Sequence, residues 1–272
     1  LYQIIKKLPF ESSERTRNNI TYSLGQNIYT PEDIEEEALI EDDRPYAGIT
    51  YGSIGFHKRT QKDMDTLELY LGIVGPHSYA EQSQEAVHAL FDDKDPDGWD
   101  NQLDDEPVIG IVYSHKKKIV ESGIGKNFGY DCVLSTGGGL GNAMTFYNLG
   151  LTLRLGWNMP NDFGNFPIRP ASAFNGAFDE RDPRMTSEKD LGVHLFCAVD
   201  GKAVLRDIFL DGNTFSDSHN VDKKPVVADY MTGLGIIMGK VKLSMAYVIR
   251  TESFEEQDGS QKFGSINMSI SY

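Results

Sequence analysis

The sequence is short of several things that common classes of protein depend on. Two of its 272 residues are cysteines, Cys132 and Cys197, far apart and without metal-ligand spacing. That excludes a disulfide framework and a cysteine-based zinc site, and leaves the redox compartment open. Cations are scarce. The 26 Lys and Arg face 41 Asp and Glu, for a formal net charge of −15. Phosphate neutralisation needs clustered cations, so a nucleic-acid partner is excluded. An acidic surface could hold a divalent metal, but net charge alone names no partner. No run of about 18 apolar residues exists, so no transmembrane helix is available. The G-x-S-x-G nucleophile elbow is also missing, which sets aside an α/β-hydrolase mechanism. The chain opens on Leu1 with no signal peptide, an appearance that a cleaved signal would also leave. No linker, repeat or low-complexity stretch divides it, so residues 1–272 read as a single domain.

What is present is alternation. In "NLGLTLRLGWNM", Leu149, Leu151, Leu153, Leu155, Trp157 and Met159 share one face, opposite Gly150, Thr152, Arg154, Gly156 and Asn158. "VKLSMAYVIR" sets Val241, Leu243, Met245, Tyr247 and Ile249 against Lys242, Ser244, Ala246, Val248 and Arg250. "LELYLGI" repeats the pattern at Leu67, Leu69, Leu71 and Ile73. Each reads as a strand with one oily face and one polar or small face. A soluble sandwich turns such oily faces inward, and a membrane barrel turns them out to lipid.

Three features favour the barrel over the sandwich. Strands such as "TFYNLGLTLRLGWNM" reach the length of a tilted crossing. Glycine, arginine and lysine occupy the polar faces, as a watery lumen requires. Connectors divide into short turns (Met238 to Lys240) and long polar loops (Asn158 to Asp190). The generous glycine, tyrosine and phenylalanine counts of 27, 13 and 14 suit strands with aromatic girdles. The last strand, "KFGSINMSISY", alternates Ile266, Met268 and Ile270 and ends on the aromatic Tyr272, as strands read by the outer-membrane assembly machinery do.

Strands are expected to begin near Leu1, Asn18, Ala47, Met64, Val108, Phe128, Thr145, Lys189, Val226, Lys240 and Phe263. The fold class is thus an all-β, transmembrane antiparallel β-barrel of about 12 strands, about 11 of them visible, since single-chain bacterial barrels have even strand numbers. The expected missing strand precedes Leu1.

One stretch departs from this pattern. "AEQSQEAVHALF" is helical in period and predicts a short helix near residues 80–91, with Gln84 and His88 four apart on one face. Val87, Leu90 and Phe91 are the residues that would pack it. A lone histidine on such a helix is ordinarily structural, but the acidic run directly after it changes the weighting. In "DKDPDGWDNQLD", Asp93, Asp95, Asp97, Gly98 and Asp104 fall at the offsets of a D-x-D-x-D-G calcium loop, although Pro96 interrupts it and an aspartate stands where a longer glutamate is usual. A solvated acidic turn is the plainer alternative. Asp92 and Asp93 could instead hold a metal beside His88. A histidine next to an activated water and an ester carbonyl would make a hydrolase. "STGGGLGN", Ser135 to Asn142, sits within a strand pattern and reads as a close-packed strand rather than a phosphate loop.

Several motifs taken together carry a family resemblance. They are "GQNIYTPEDI" (Gly25 to Ile34), "DDRPYAGITYG" (Asp42 to Gly52), "LGIVGPHSYAEQSQEAVHALF" (Leu71 to Phe91), "GWDNQLDDEP" (Gly98 to Pro107), "FLDGNTF" (Phe209 to Phe215) and "RTESFEEQ" (Arg250 to Gln257). In order and spacing they resemble the outer-membrane lipid A 3′-O-deacylase family over nearly the whole chain. The resemblance implies a barrel in the bacterial outer membrane whose Ca²⁺-dependent site removes an ester-linked acyl chain from lipid A, the anchor of lipopolysaccharide. It places the essential histidine at His88. Beside it, Gln84 would help orient water or substrate, and Asp92, Asp93, Asp95 and Asp97 of the acidic run are the candidate metal ligands by their own spacing. The family's Asn-Asp pair and Tyr-Thr-x-Gly element have no counterpart ahead of "NNITYSL". That gap keeps a second reading open: a non-catalytic barrel serving as a structural or binding subunit among outer-membrane protein partners. A porin is weaker, because twelve strands leave a lumen that side chains largely fill. Asp43 and Arg44 read as an ion pair at the barrel rim before they read as substrate contacts.

Overall fold

The alternating segments become ten antiparallel strands in the computed structural model, which describes residues 16–91, 94–124, 127–164, 182–185 and 191–270. They are β1 (Arg17–Tyr29), β2 (Ala47–Arg59), β3 (Asp63–Val74), β4 (Glu106–Ile124), β5 (Phe128–Gly141), β6 (Met144–Trp157), β7 (Leu191–Asp207), β8 (Val226–Met238), β9 (Val241–Arg250) and β10 (Gln261–Ile270). Each pairs with the next in one sheet of sequential order. Ten of the expected strand starts are met to within two residues. The strand expected near Leu1 and the terminal Tyr272 lie outside the described residues. Among the described residues two α-helices interrupt the meander: α1 (Ala80–Phe91), where the helical period placed it, and α2 (Ile208–Asp211). "STGGGLGN" lies in and just beyond β5, as a strand reading requires.

Which face points where decides between barrel and sandwich. Leu24, Leu71, Ile109, Leu140, Leu149, Leu153, Leu195, Leu205 and Ile266 are exposed, while Arg59, Asp65, Glu68, Lys116, Asp131, Arg154, Asp200, Lys202, Asp229 and Lys242 are buried. A water-soluble sandwich cannot sustain that arrangement, since it would hide its charges and wet its leucines. The inversion is what a membrane barrel needs, with lipid outside and a polar lumen inside.

The lumen is filled from both ends. At the end carrying α1, the short α2 turns inward, capped by the Asp207 side chain, which accepts from the Phe209 N–H at 3.1 Å. Its Phe209 ring stacks on Tyr29 with centroids 3.9 Å apart. Ala47, Ile49, Tyr51, Tyr70, Val74, Val108 and Phe146 close around it. At the opposite end, residues 158–164 and 182–185 enter the lumen and meet the strands through ions. Asp162 accepts from Arg154, from Lys242 at 2.7 Å and from Arg184 at 3.0 Å, and Arg154 also donates to Asp131. Buried charges persist only when paired in this way.

Candidate functional site

The site lies on the outer wall, at the rim where β2 begins and β3 ends. After Val74 the chain turns through Gly75 at φ 102° and a 3₁₀ turn at Pro76–Ser78, then enters α1 through Tyr79 at φ 57°. Gly75 donates from its N–H to the carbonyl of Gly48 at 3.1 Å. The Ser78 carbonyl accepts from Gln26 Nε2 and from Thr50 Oγ1, each at 2.7 Å, so two neighbouring strands hold the loop by one oxygen. A close approach then docks the helix. A Cβ on Gly48 would stand 2.0 Å from the Ala80 Cβ, so only glycine lets α1 sit against β2. Ile28, Tyr46, Ala80 and Trp99 pack together as the apolar seam between helix and wall. The sheet therefore supplies a rigid base, and α1 leans over it with its outer face, Val87 and Leu90, exposed.

Gln84 and His88 are both half-buried on α1. The indole of Trp99 donates from Nε1 to Gln84 Oε1 at 3.0 Å. Indole nitrogen is a donor only, so this bond fixes the amide with its NH₂ group free to donate elsewhere. The His88 ring contacts the Lys94 carbonyl through Nδ1. A carbonyl only accepts, so Nδ1 carries the proton of the neutral ring and Nε2 presents a lone pair. Lys94 is itself held by Glu35 from the β1–β2 loop. Tyr46 donates from its phenol to the Ile34 carbonyl at 2.9 Å. Burial raises its pKa above the ordinary phenol value, which keeps it a donor. The loop after α1 returns to the wall at Asp105. This carboxylate accepts from the His77 N–H at 2.9 Å and from the His77 ring. Burial alone would raise the Asp105 pKa, but the bonds from His77 outweigh it and hold the group below its ordinary value.

Of the four aspartates read as metal ligands, Asp92 and Asp93 lie outside the described residues. Asp95 and Asp97 are exposed. Asp97 opens a 3₁₀ turn, Asp97–Asn101, and Gly98 is buried beneath Tyr46 without a left-handed φ. The sharp turn that gathers alternate carboxylates onto one calcium is therefore not made at Gly98. Asp104, a further position of the calcium pattern, instead accepts from Ser216 at 2.9 Å. Among the described residues no three His, Cys, Asp or Glu side chains stand close enough to share a metal. The described aspartates do not by themselves form a calcium loop.

Asp43 and Arg44 do not form the side-chain ion pair expected at the rim. Asp43 accepts from the backbone of Glu32 and Arg44, each at 2.7 Å. The Arg44 guanidinium turns to Ser253 at 3.0 Å and lies 5.5 Å over Phe254. Sequence reasoning named Gln84 and His88 but not the residues that orient them, Trp99 and Lys94, nor the pair that pins their loop, Gln26 and Thr50. A usable signal for the docking was the Gly48 of "PYAGITYG", because a glycine beginning a strand often marks close backbone approach.

Comparison with known proteins fits this geometry. The family model described as outer membrane protein LpxR matches residues 1–272. The chain belongs to this family. Its place is therefore the outer membrane, and the resemblance drawn from the motifs holds over the whole chain. The solved structure of LpxR from Salmonella typhimurium is similar, with a TM-score of 0.74 at 18% identity, over 93% of this chain and 83% of that one. At that identity the likeness speaks for the barrel fold. No curated protein matches the chain.

Proposed function

We propose that this LpxR-family protein is an esterase of the outer leaflet that hydrolyses an acyl ester of lipid A. One observation carries the reading: on a helix leaning over the lipid-facing wall, His88 has its Nδ1 engaged by a carbonyl and Nε2 left as a proton acceptor. In that role Nε2 takes a proton from water as the oxygen adds to the ester carbonyl carbon. The Gln84 amide, oriented by Trp99, donates to the oxygen on which negative charge develops. Collapse of the tetrahedral intermediate breaks the bond to the sugar oxygen, and the proton on His88 passes to that leaving oxygen. The products are a free fatty acid and a sugar hydroxyl. Dependence on Ca²⁺ belongs to the same proposal and rests on the motif resemblance. A bound cation would polarise the ester carbonyl, but the described residues alone do not gather a ligand set for it.

The test is mass analysis of lipid A from cells expressing the full-length protein. Expected is loss of one acyl chain, sensitive to chelation, with the rate falling about 10²- to 10⁴-fold in His88→Ala and about 10²- to 10³-fold in Gln84→Ala. Trp99→Phe keeps the ring but removes the N–H that orients Gln84. A neutral hydrogen bond contributes about 1 kcal/mol, so a loss of about fivefold is expected. Unchanged lipid A in every sample, with the barrel assembled, refutes the reading and favours a non-catalytic barrel that serves protein partners.

A further inference from the structure

We infer that the outer wall directly below the α1 loop carries a furrow, floored by Gly52 and flanked by Leu24 and Leu71, that holds a fatty acyl chain of the substrate. The inference rests on the esterase reading and names the feature of that site that admits the acyl chain. Strand register lays out the wall in rows. Gly52 pairs with Leu24 on one side and Leu71 on the other. The two leucines are 92% and 64% exposed, so they stand off the wall as ridges. With strands about 4.8 Å apart, the ridges are separated by about 9.6 Å with no side chain between them. A Cβ on Gly52 would meet the Leu24 Cδ2 at 3.5 Å and the Ser23 carbonyl at 3.9 Å, and no other heavy atom within 4 Å, so the floor is bounded on the Leu24 side and open toward Leu71.

The row above is Gln26, Thr50 and Ile73, whose Gln26 and Thr50 hold the Ser78 carbonyl and so roof the furrow with the loop that launches α1. The row below is Tyr22, Ile54 and Leu69. Beneath it Phe56 is buried against Ile20, Ile54 and Leu67, which fills the wall and ends the furrow. From Thr50 to Ile54 is about 13 Å of strand, room for the part of an acyl chain nearest its ester. The surroundings of this wall are lipid, and the furrow is continuous with the loop that positions Gln84 and His88. An ester at the helix therefore has one apolar channel directly beneath it.

The test uses the purified full chain in detergent micelles with two probes, hexa-acylated lipid A and a glucosamine disaccharide bearing butanoyl esters. Gly52→Leu fills the furrow. It should lower kcat/KM on lipid A by about tenfold or more and leave the butanoyl ester nearly unaffected, since a pocket discriminates by the methylenes it can accept. Gly264→Leu, an outward glycine on β10 with nothing within 4 Å, adds the same bulk elsewhere and should change neither rate. Gly52→Ala fits at ordinary contact distance and should give a smaller loss in the same direction, which keeps the test alive where the leucine variant does not assemble. Equal loss on both probes, or no loss on lipid A, overturns the furrow while the esterase stands. If the wild type cleaves neither probe, the esterase reading fails and the furrow falls with it.

Discussion

Removing one carboxylate from the lumen should destabilise this barrel severely, and removing its partner as well should restore it. Asp162 is fully buried and accepts from three cations. Two of them have a second acid: Arg154 keeps Asp131 at 2.8 Å, and Arg184 keeps Asp182 at 2.7 Å. Lys242 has Asp162 as its one ion-pair partner among the described residues. Asp162→Ala thus strands a buried ammonium and weakens two guanidinium contacts. Breaking a buried pair on one side costs about 3–5 kcal/mol, because an uncompensated charge is left in low dielectric. Replacing both partners with apolar side chains is close to neutral, so Asp162→Ala combined with Lys242→Met should recover most of the loss. Reversible urea unfolding of the full chain in lipid vesicles, followed by tryptophan fluorescence, measures both values. A single variant that loses less than about 1 kcal/mol would show that water already screens the lumen, as it does surface pairs. A double variant as unstable as the single one would show that Asp162 acts through Arg154 and Arg184 instead.

Gly48→Val should act at the rim. Its side chain would collide with Ala80 Cβ and with Ser78 Oγ at 2.4 Å, so α1 must lift from the wall. A shift of about 1 Å in positioned groups can lower a rate about a hundredfold, and deacylation should fall by that order while heat-modifiable gel mobility shows the barrel intact. Asp105 supplies a pH dependence of known sign. Its pKa is held below the ordinary value, so the His77 contact adds stability above about pH 3.9 and loses it as pH falls through the folded pKa. Hydrogen exchange in residues 75–79 should quicken on acidification. Asp105→Asn should remove the pH dependence, and an unchanged acid profile in that variant would assign it to another group.

How much could be read from the chain depended on whether the signal was local. Strand starts at Ala47, Phe128 and Val226 were legible because alternation is a property of neighbours. The span of α1 was legible for the same reason, with period 3.6 in place of two. The inverted sidedness was only half legible, since "NLGLTLRLGWNM" looks alike facing lipid or facing a sandwich core. Burial of Arg154 between Asp131 and Asp162 settles it, and those residues are 23 and 8 positions from Arg154. The orienting bond from Trp99 to Gln84 spans 15 residues and depends on a loop folding back, which no periodicity encodes. The calcium offsets around Gly98 illustrate the reverse failure. Spacing suggested a turn, but the demand for room beneath Tyr46 explains the glycine without one.

The candidate site lies outside a lumen that is filled with side chains at both ends. Among the described residues, Tyr29, Phe209 and Phe146 pack into one end and the Asp162 network into the other. The proposed hydrolysis takes place at the outside, where the wall is apolar and an ester at the headgroup boundary is within reach. An outward wall of strands presents mostly Leu, Ile and Val, which lack the groups for acid–base work. A polar constellation must therefore be carried there by a separate element, docked tightly enough to be rigid. Gly48 permits that docking, Gln26 and Thr50 pin the loop, and α1 brings Gln84 and His88 above a lipid-facing surface. Among the described residues, the helix that breaks the β pattern is the element that carries them there.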